Sequence, residues 1–182
     1  MNDTLQRMRA LHGLWDRGVA DLSVEQVNHV ERAGVLPIAF SLVHFVRGED
    51  AHAVQLLDTE GLLWEEHAAR FRYEGVIPGR GTPMAEAERV RIGDLDAWRV
   101  YQRAVFTRIE QGVERMTEER LALPMFGGER PESLRGGFLA AYVPEGTITR
   151  RHAIEAWFYQ HGCRHLGELE HARALVGLGA RS

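Results

Sequence analysis

Ile154-Glu-Ala-Trp-Phe158-Tyr-Gln-His161-Gly-Cys-Arg-His165-Leu-Gly-Glu-Leu169-Glu-His-Ala172-Arg-Ala-Leu-Val176 is the stretch on which the reading of this chain turns. Ile154, Phe158, His161, His165, Leu169, Ala172 and Val176 follow one another at steps of three and four, so they share one face of a helix. That face should meet the protein interior, and two histidines interrupt it. Thr147 is the expected N-terminal cap. Gly177 and Gly179 offer the left-handed backbone that ends helices, near Leu178.

Working outward, three more helices are legible. From Thr4 to Leu22 the apolar residues Leu5, Met8, Leu11, Trp15, Val19 and Leu22 recur with helical spacing. Pro37 suits a helix start, and no proline interrupts Ile38 to Leu57. Asp94 is placed to cap a third helix whose stripe is Leu95, Trp98, Gln102, Val105, Ile109, Gly112 and Met116, with Gln102 and Gly112 its soft positions. The stretches 60–93 and 117–146 are rich in Gly and Pro and too long for tight hairpins. A short helical piece fits Leu62 to Ala69, and long loops in a compact domain are usually either disordered or functional lids. Ser23-Val-Glu-Gln-Val27 after the first helix is echoed by Thr117-Glu-Glu-Arg-Leu121 after the third, each opening with a capping residue. No strand alternation stands out. The expectation is an all-α four-helix bundle, one domain over residues 1–182, with long connections between helices two and three and between three and four.

A 182-residue chain with 45% apolar and 26% charged residues has ordinary globular composition. At this size roughly 70% of the unfolded surface is buried on folding, so one sizeable core is expected. The formal net charge of −4 includes no basic tract, because arginines are interleaved with acids, which argues against nucleic acid as a partner. There is no apolar run of membrane-spanning length, and the start of the chain lacks the pattern of a signal peptide. Together with a single cysteine, Cys163, these features set a cytoplasmic expectation, with no membrane partner. No dinucleotide-binding, Walker or Gly-x-Ser-x-Gly motif is present, and the glycine pairs Gly127-Gly128 and Gly136-Gly137 lack a Lys-Ser/Thr partner, so they read as loop flexibility.

Nine histidines are many for this length. His161 and His165, four residues apart, stand one turn apart on one face, about 5–6 Å between Cβ atoms, which is chelating distance for one metal ion. Phe40-Ser-Leu-Val-His44-Phe-Val46 places His44 in an almost unbroken apolar run, buried whichever way its helix turns. An imidazole bound to metal through one nitrogen and donating through the other satisfies both. Glu168, one turn beyond His165, and Arg47, one turn beyond His44, are the candidate supporting groups. The competing reading of each histidine taken alone is a hydrogen-bonded core residue. His12, His29, His52, His67, His152 and His171 read as surface or structural. Trp15, Trp64, Trp98 and Trp157 read as core, Gly162 and Cys163 as pointing away from the histidine face, and Cys163 as a helix residue without a role.

Ile38-Ala-Phe-Ser-Leu-Val-His44-Phe-Val-Arg-Gly-Glu49-Asp50 together with His161-Gly-Cys-Arg-His165-Leu-Gly167-Glu168-Leu169 resembles the DinB-like superfamily of damage-inducible proteins and related metal-dependent thiol transferases. Members carry one histidine on the second helix and a His-x-x-x-His pair on the last, matching His44, His161 and His165. The resemblance implies an up-down-down-up bundle, a site for zinc, nickel or another divalent ion, and a homodimer. Three protein ligands leave a coordination position open, as in catalytic metal sites. The expected activity is therefore metal-dependent transfer of a small thiol, or hydrolysis, on a small-molecule substrate. The alternative is a non-catalytic metal-binding stress-response bundle acting as a dimer. No general base is identified, and the two long connections match nothing in the family.

Overall fold

Four long helices carry the apolar stripes expected of them. Helix α1 (Asp3–Ala20) buries Leu5, Met8, Leu11, Trp15 and Val19, and α2 (Ile38–Leu57) follows Pro37 as its N-cap. Helix α3 (Leu95–Glu114) starts where the Asp94 side chain accepts a hydrogen bond from the Ala97 N–H at 3.0 Å. The last helix, α4, is continuous through three segments: Arg150–Ile154, a π-helical turn over Glu155–Gln160, and His161–Leu175. Its cap is Thr149, not Thr147, because the Thr149 side chain accepts from the His152 N–H and His152 returns the bond. It ends at Leu175, and Gly177 beyond it has φ +79°. The computed structural model describes residues 3–126 and 130–181, so the expectation for Gly127-Gly128 lies outside the described residues.

Cross-helix contacts fix the direction of every helix. Along α1 and α4, Thr4 donates to Glu155 at 2.6 Å, Trp15 Nε1 to the Gly162 carbonyl at 3.2 Å and Arg173 to the Gly18 carbonyl at 2.7 Å. Numbers rise together, so the two helices are parallel. Along α1 and α3, Arg9 pairs with Glu114, Gln102 donates to Asp16 and Arg99 donates to the Val19 carbonyl, an antiparallel pairing. Helix α2 sets Asp50 beside Tyr101 and Leu57 beside Gly112 of α3, and is parallel to it. The order is up-down-down-up, with α1 diagonal to α2 and α3 diagonal to α4.

The soft positions of α3 have physical reasons. Gln102 is buried but satisfied, donating to Asp16 at 3.0 Å and accepting from Trp98 Nε1 at 3.2 Å. A Cβ at Gly112 would lie 2.7 Å from Leu57 Cδ1, so α2 and α3 approach closely only at a glycine. The echoed segments after α1 and α3 are both short capped helices, Val24–Asn28 and Glu118–Ala122. The first long connection holds the expected helical turn, Trp64–His67, whose N–H groups at Leu63 and Trp64 are capped by the buried Asp50 carboxylate. It also holds a two-stranded antiparallel ribbon that alternation did not reveal, β1 (Tyr73–Glu74) against β2 (Arg91–Ile92), too short to show a period. No helix among the described residues is long and apolar enough to cross a membrane.

Two interior positions of α4 depart from the sequence expectation. Beyond Leu169 the stripe drifts: Ala172 is half-buried and Arg173 is fully buried, its guanidinium bonded bidentately to Asp21 at 2.7 and 3.1 Å. The hydrogen bonds from Arg173 and Arg181 hold the Asp21 carboxyl well below the usual carboxylate range. Gly162 does not point away: it is buried where α1, α2 and α4 meet, and a Cβ there would stand 2.7 Å from Leu11 Cδ2 and 2.8 Å from Phe45 Cζ. Gly162→Val therefore forces the helices apart beside His161 and should cost about 2 kcal/mol. Chemical denaturation of the variant checks this; unchanged stability would contradict the close approach.

Candidate metal centre

Antiparallel packing of α2 on α4 brings His44 onto the same level as His161 and His165. Ring centroids lie 5.4 Å apart for His44 and His161, 4.7 Å for His44 and His165, and 4.4 Å for His161 and His165. One nitrogen from each ring falls within 4.8 Å of the others. The Nε2 atoms of His161 and His165 are 2.9 Å apart. Two imidazole nitrogens on one ion, each at about 2.0–2.1 Å from it, stand roughly 3 Å apart, so this separation fits shared coordination. His161 follows directly on the π-helical turn, which sets the phase at which the pair leaves the helix; such turns are frequent at functional sites.

The orientation of His165 is fixed by Glu168, whose Oε2 accepts from Nδ1 at 2.5 Å. That bond places the ring proton on Nδ1 and leaves Nε2 as a lone-pair donor, the arrangement a ligating histidine needs. The same bond holds the Glu168 carboxyl below its ordinary range. The Nδ1 atoms of His44 and His161 are buried without a hydrogen-bond partner, so hydrogen bonding satisfies each ring only in part: His161 Nε2 contacts His165 Nε2, and the Pro78 carbonyl reaches His44. Burial first, then the neighbouring His165, push the His44 imidazole below its usual value; the Pro78 carbonyl opposes the shift. Burial and the surrounding His165, His44 and Arg164 push His161 down to about 2. Both are neutral near pH 7, as ligands must be. Three imidazoles with one nitrogen each within 4.8 Å of the others lie close enough to hold one divalent ion.

Arg47 does not support His44: its Nε is buried without a partner, and its charge reaches His52 instead. Arg164 is the unforeseen neighbour, with Nη2 3.1 Å from His165 Nε2. The triad forms part of the wall of a cleft of about 560 Å³. Both long connections build it, the first through Gly79 and Arg80, the second through Ser133 to Leu139, and Arg80 donates to the Ser133 carbonyl at 3.2 Å between them.

Two residues set aside in the sequence line this cleft. Trp157 is half-buried, packs against the core and stacks on His52 with centroids 4.7 Å apart, so it is cleft wall as well as edge of the core. His52 is driven by burial down to about 4 and its Nδ1 has no partner. The signal for both was helical phase: His52 lies eight residues after His44, and Trp157 four before His161. The other histidines are elsewhere. His12 is buried between Glu49 and Glu110, with Nδ1 2.7 Å from Glu110, and His67 packs on Tyr101. The Cys163 thiol is pushed up by desolvation, which fits a residue with no reactive role.

The fold is shared. A conserved protein from Enterococcus faecalis, solved by crystallography, superposes on this chain with a TM-score of 0.75 at 15% identity, covering 97% of this chain and 98% of its own. No family model matches the sequence, and no curated protein matches it. At that identity the likeness carries the helical architecture alone.

The depressed imidazoles have a measurable consequence for metal binding. A ligand whose pKa is lowered stays deprotonated as pH falls, so His161, pushed down to about 2, does not compete for protons between pH 7.5 and 5.5, and His44, held below its usual value, competes less than a free imidazole. Three ordinary imidazoles would lose about a thousandfold in apparent affinity over that range. Zinc affinity measured by chelator competition should fall by far less, and a thousandfold loss would contradict the environment described.

Proposed function

We propose that this chain is a DinB-like metal protein that acts on a small molecule, transferring a small thiol or hydrolysing a bond, with His44, His161 and His165 holding one divalent ion. The observation that carries this reading is the convergence of three imidazoles on a solvent-accessible cleft. A purely structural site closes its coordination shell with protein ligands, whereas three ligands beside a cleft leave room for a substrate atom. Imidazole donors suit zinc or nickel. An ion so held supplies Lewis acidity, lowering the pKa of a bound water or of a bound thiol.

The chain's own residues have definable parts in this. Glu168 holds the proton of His165 at Nδ1 and keeps its ring from rotating. His52, neutral and stacked on Trp157, presents an imidazole to the same cleft without adding charge. Gly79 and Arg80 of the first connection, with Ser133, Leu134 and Gly136 to Leu139 of the second, bound the space and limit water around a ligand. The alternative, a non-catalytic metal-binding stress-response bundle acting as a dimer, would leave that space without a use.

Elemental analysis of protein purified without a histidine tag should give one equivalent of zinc or nickel per chain, abolished by His161→Ala and by His44→Ala with helicity retained. Glu168→Gln, which keeps the shape and removes the charge, should weaken binding about 10–100-fold. A screen for thiol transfer and ester or amide hydrolysis on the loaded protein then reads the activity. Absence of metal from the wild-type protein, even after incubation with zinc, would refute the reading.

A further inference from the structure

The charge lining the cleft is out of balance. Arg80 and Arg164 both face it, and the single carboxylate among its described lining residues, Glu168, is already engaged by His165. Arg80 spends one donor on the Ser133 carbonyl. Arg164 has His165 Nε2 as its hydrogen-bond partner, the nitrogen assigned to the ion under the function proposed above. A guanidinium and a metal ion do not share one lone pair: loading the site would release Arg164 toward the cleft, with its planar set of donors unused. Two guanidiniums beside a divalent cation then call for an anion.

The remaining lining is aromatic and aliphatic. Phe40, Trp157 and Phe138 contribute rings, and Leu134 and Leu139 fill between them. Phe138 is 46% exposed, a large apolar side chain turned to water at the rim. The volume of about 560 Å³ suits one small organic molecule and is too small for a polymer.

From this juxtaposition we infer that the substrate or co-substrate is a small organic anion with an apolar body, its carboxylate or sulfonate taken by Arg164 and Arg80 and its body laid against Trp157 and Phe40. The inference rests on the metal reading for the release of Arg164, but the two fail separately. Arg80 is free of the metal question, so some preference for anions persists without the ion and strengthens with it.

The test uses a matched pair of fluorescent probes, 8-anilinonaphthalene-1-sulfonate and its uncharged analogue N-phenyl-1-naphthylamine, titrated onto zinc-loaded and zinc-free full-length protein. The expected result is that both bind and that Arg164→Gln and Arg80→Gln each weaken the sulfonate about tenfold on zinc-loaded protein, in line with loss of a charged hydrogen bond, while the neutral probe is unaffected. Binding of the neutral probe also reports that the variants are folded, and zinc content should stay at one equivalent in both. Equal loss of both probes, no loss of either, or failure of the sulfonate to bind would overturn the inference. Should zinc not bind at all, the metal reading falls alone, and the response of the sulfonate to Arg80→Gln on zinc-free protein still decides whether the cleft selects anions.

Discussion

The structure depends on the antiparallel contact between α2 and α4 at the level of His44, His161 and His165. Three imidazoles gathered there bring unpaired nitrogens into a partly buried space, and leaving such groups unmatched costs free energy on the order of 1–3 kcal/mol each. A bundle with leucines at these positions would be more stable. Close packing surrounds the cluster: Gly162 lets α4 seat on Leu11 and Phe45, where a Cβ would stand 2.7 and 2.8 Å from their side chains. Close approach of the helices and convergence of the imidazoles are thus one arrangement, and the chemistry follows from it.

Much of this was legible in the sequence, and the reason is periodicity. Leu5 to Leu22, Leu95 to Met116 and Ile154 to Leu169 announce their helices because burial on one face leaves a 3.6-residue signature. Pro37, Asp94 and Ser23 mark starts because their preference is local and survives the fold. The histidine triad was visible for the same reason: polar residues at apolar phases stand out. The π-helical turn at Glu155–Gln160 was not, since its hydrogen bonds run one residue further along the backbone and no side chain in Glu-Ala-Trp-Phe-Tyr-Gln marks that shift. Nor was the burial of Arg173, which depends on Asp21 lying across from it on the chain following α1. Pairings between distant segments leave no periodic trace, whereas the place of His52 and Trp157 beside the cleft was marked only by helical phase relative to His44 and His161.

Those connections are what separate this molecule from a bare bundle. A likeness that covers nearly the whole of two chains at 15% identity shows that the helical frame tolerates almost complete replacement of its residues. The frame positions the imidazoles; residues 79–80 and 133–139 decide what reaches them. The helical frame alone does not specify a reaction.

The central claim is that His44, His161 and His165 hold one ion together. The most direct measurement is a crystal structure of the zinc-soaked protein with anomalous diffraction collected across the zinc absorption edge. The account predicts one anomalous peak per chain at about 2.0–2.1 Å from a nitrogen of each of the three rings, with Glu168 still bonded to His165 Nδ1. A peak held by other histidines, or three rings without a peak between them, would contradict it.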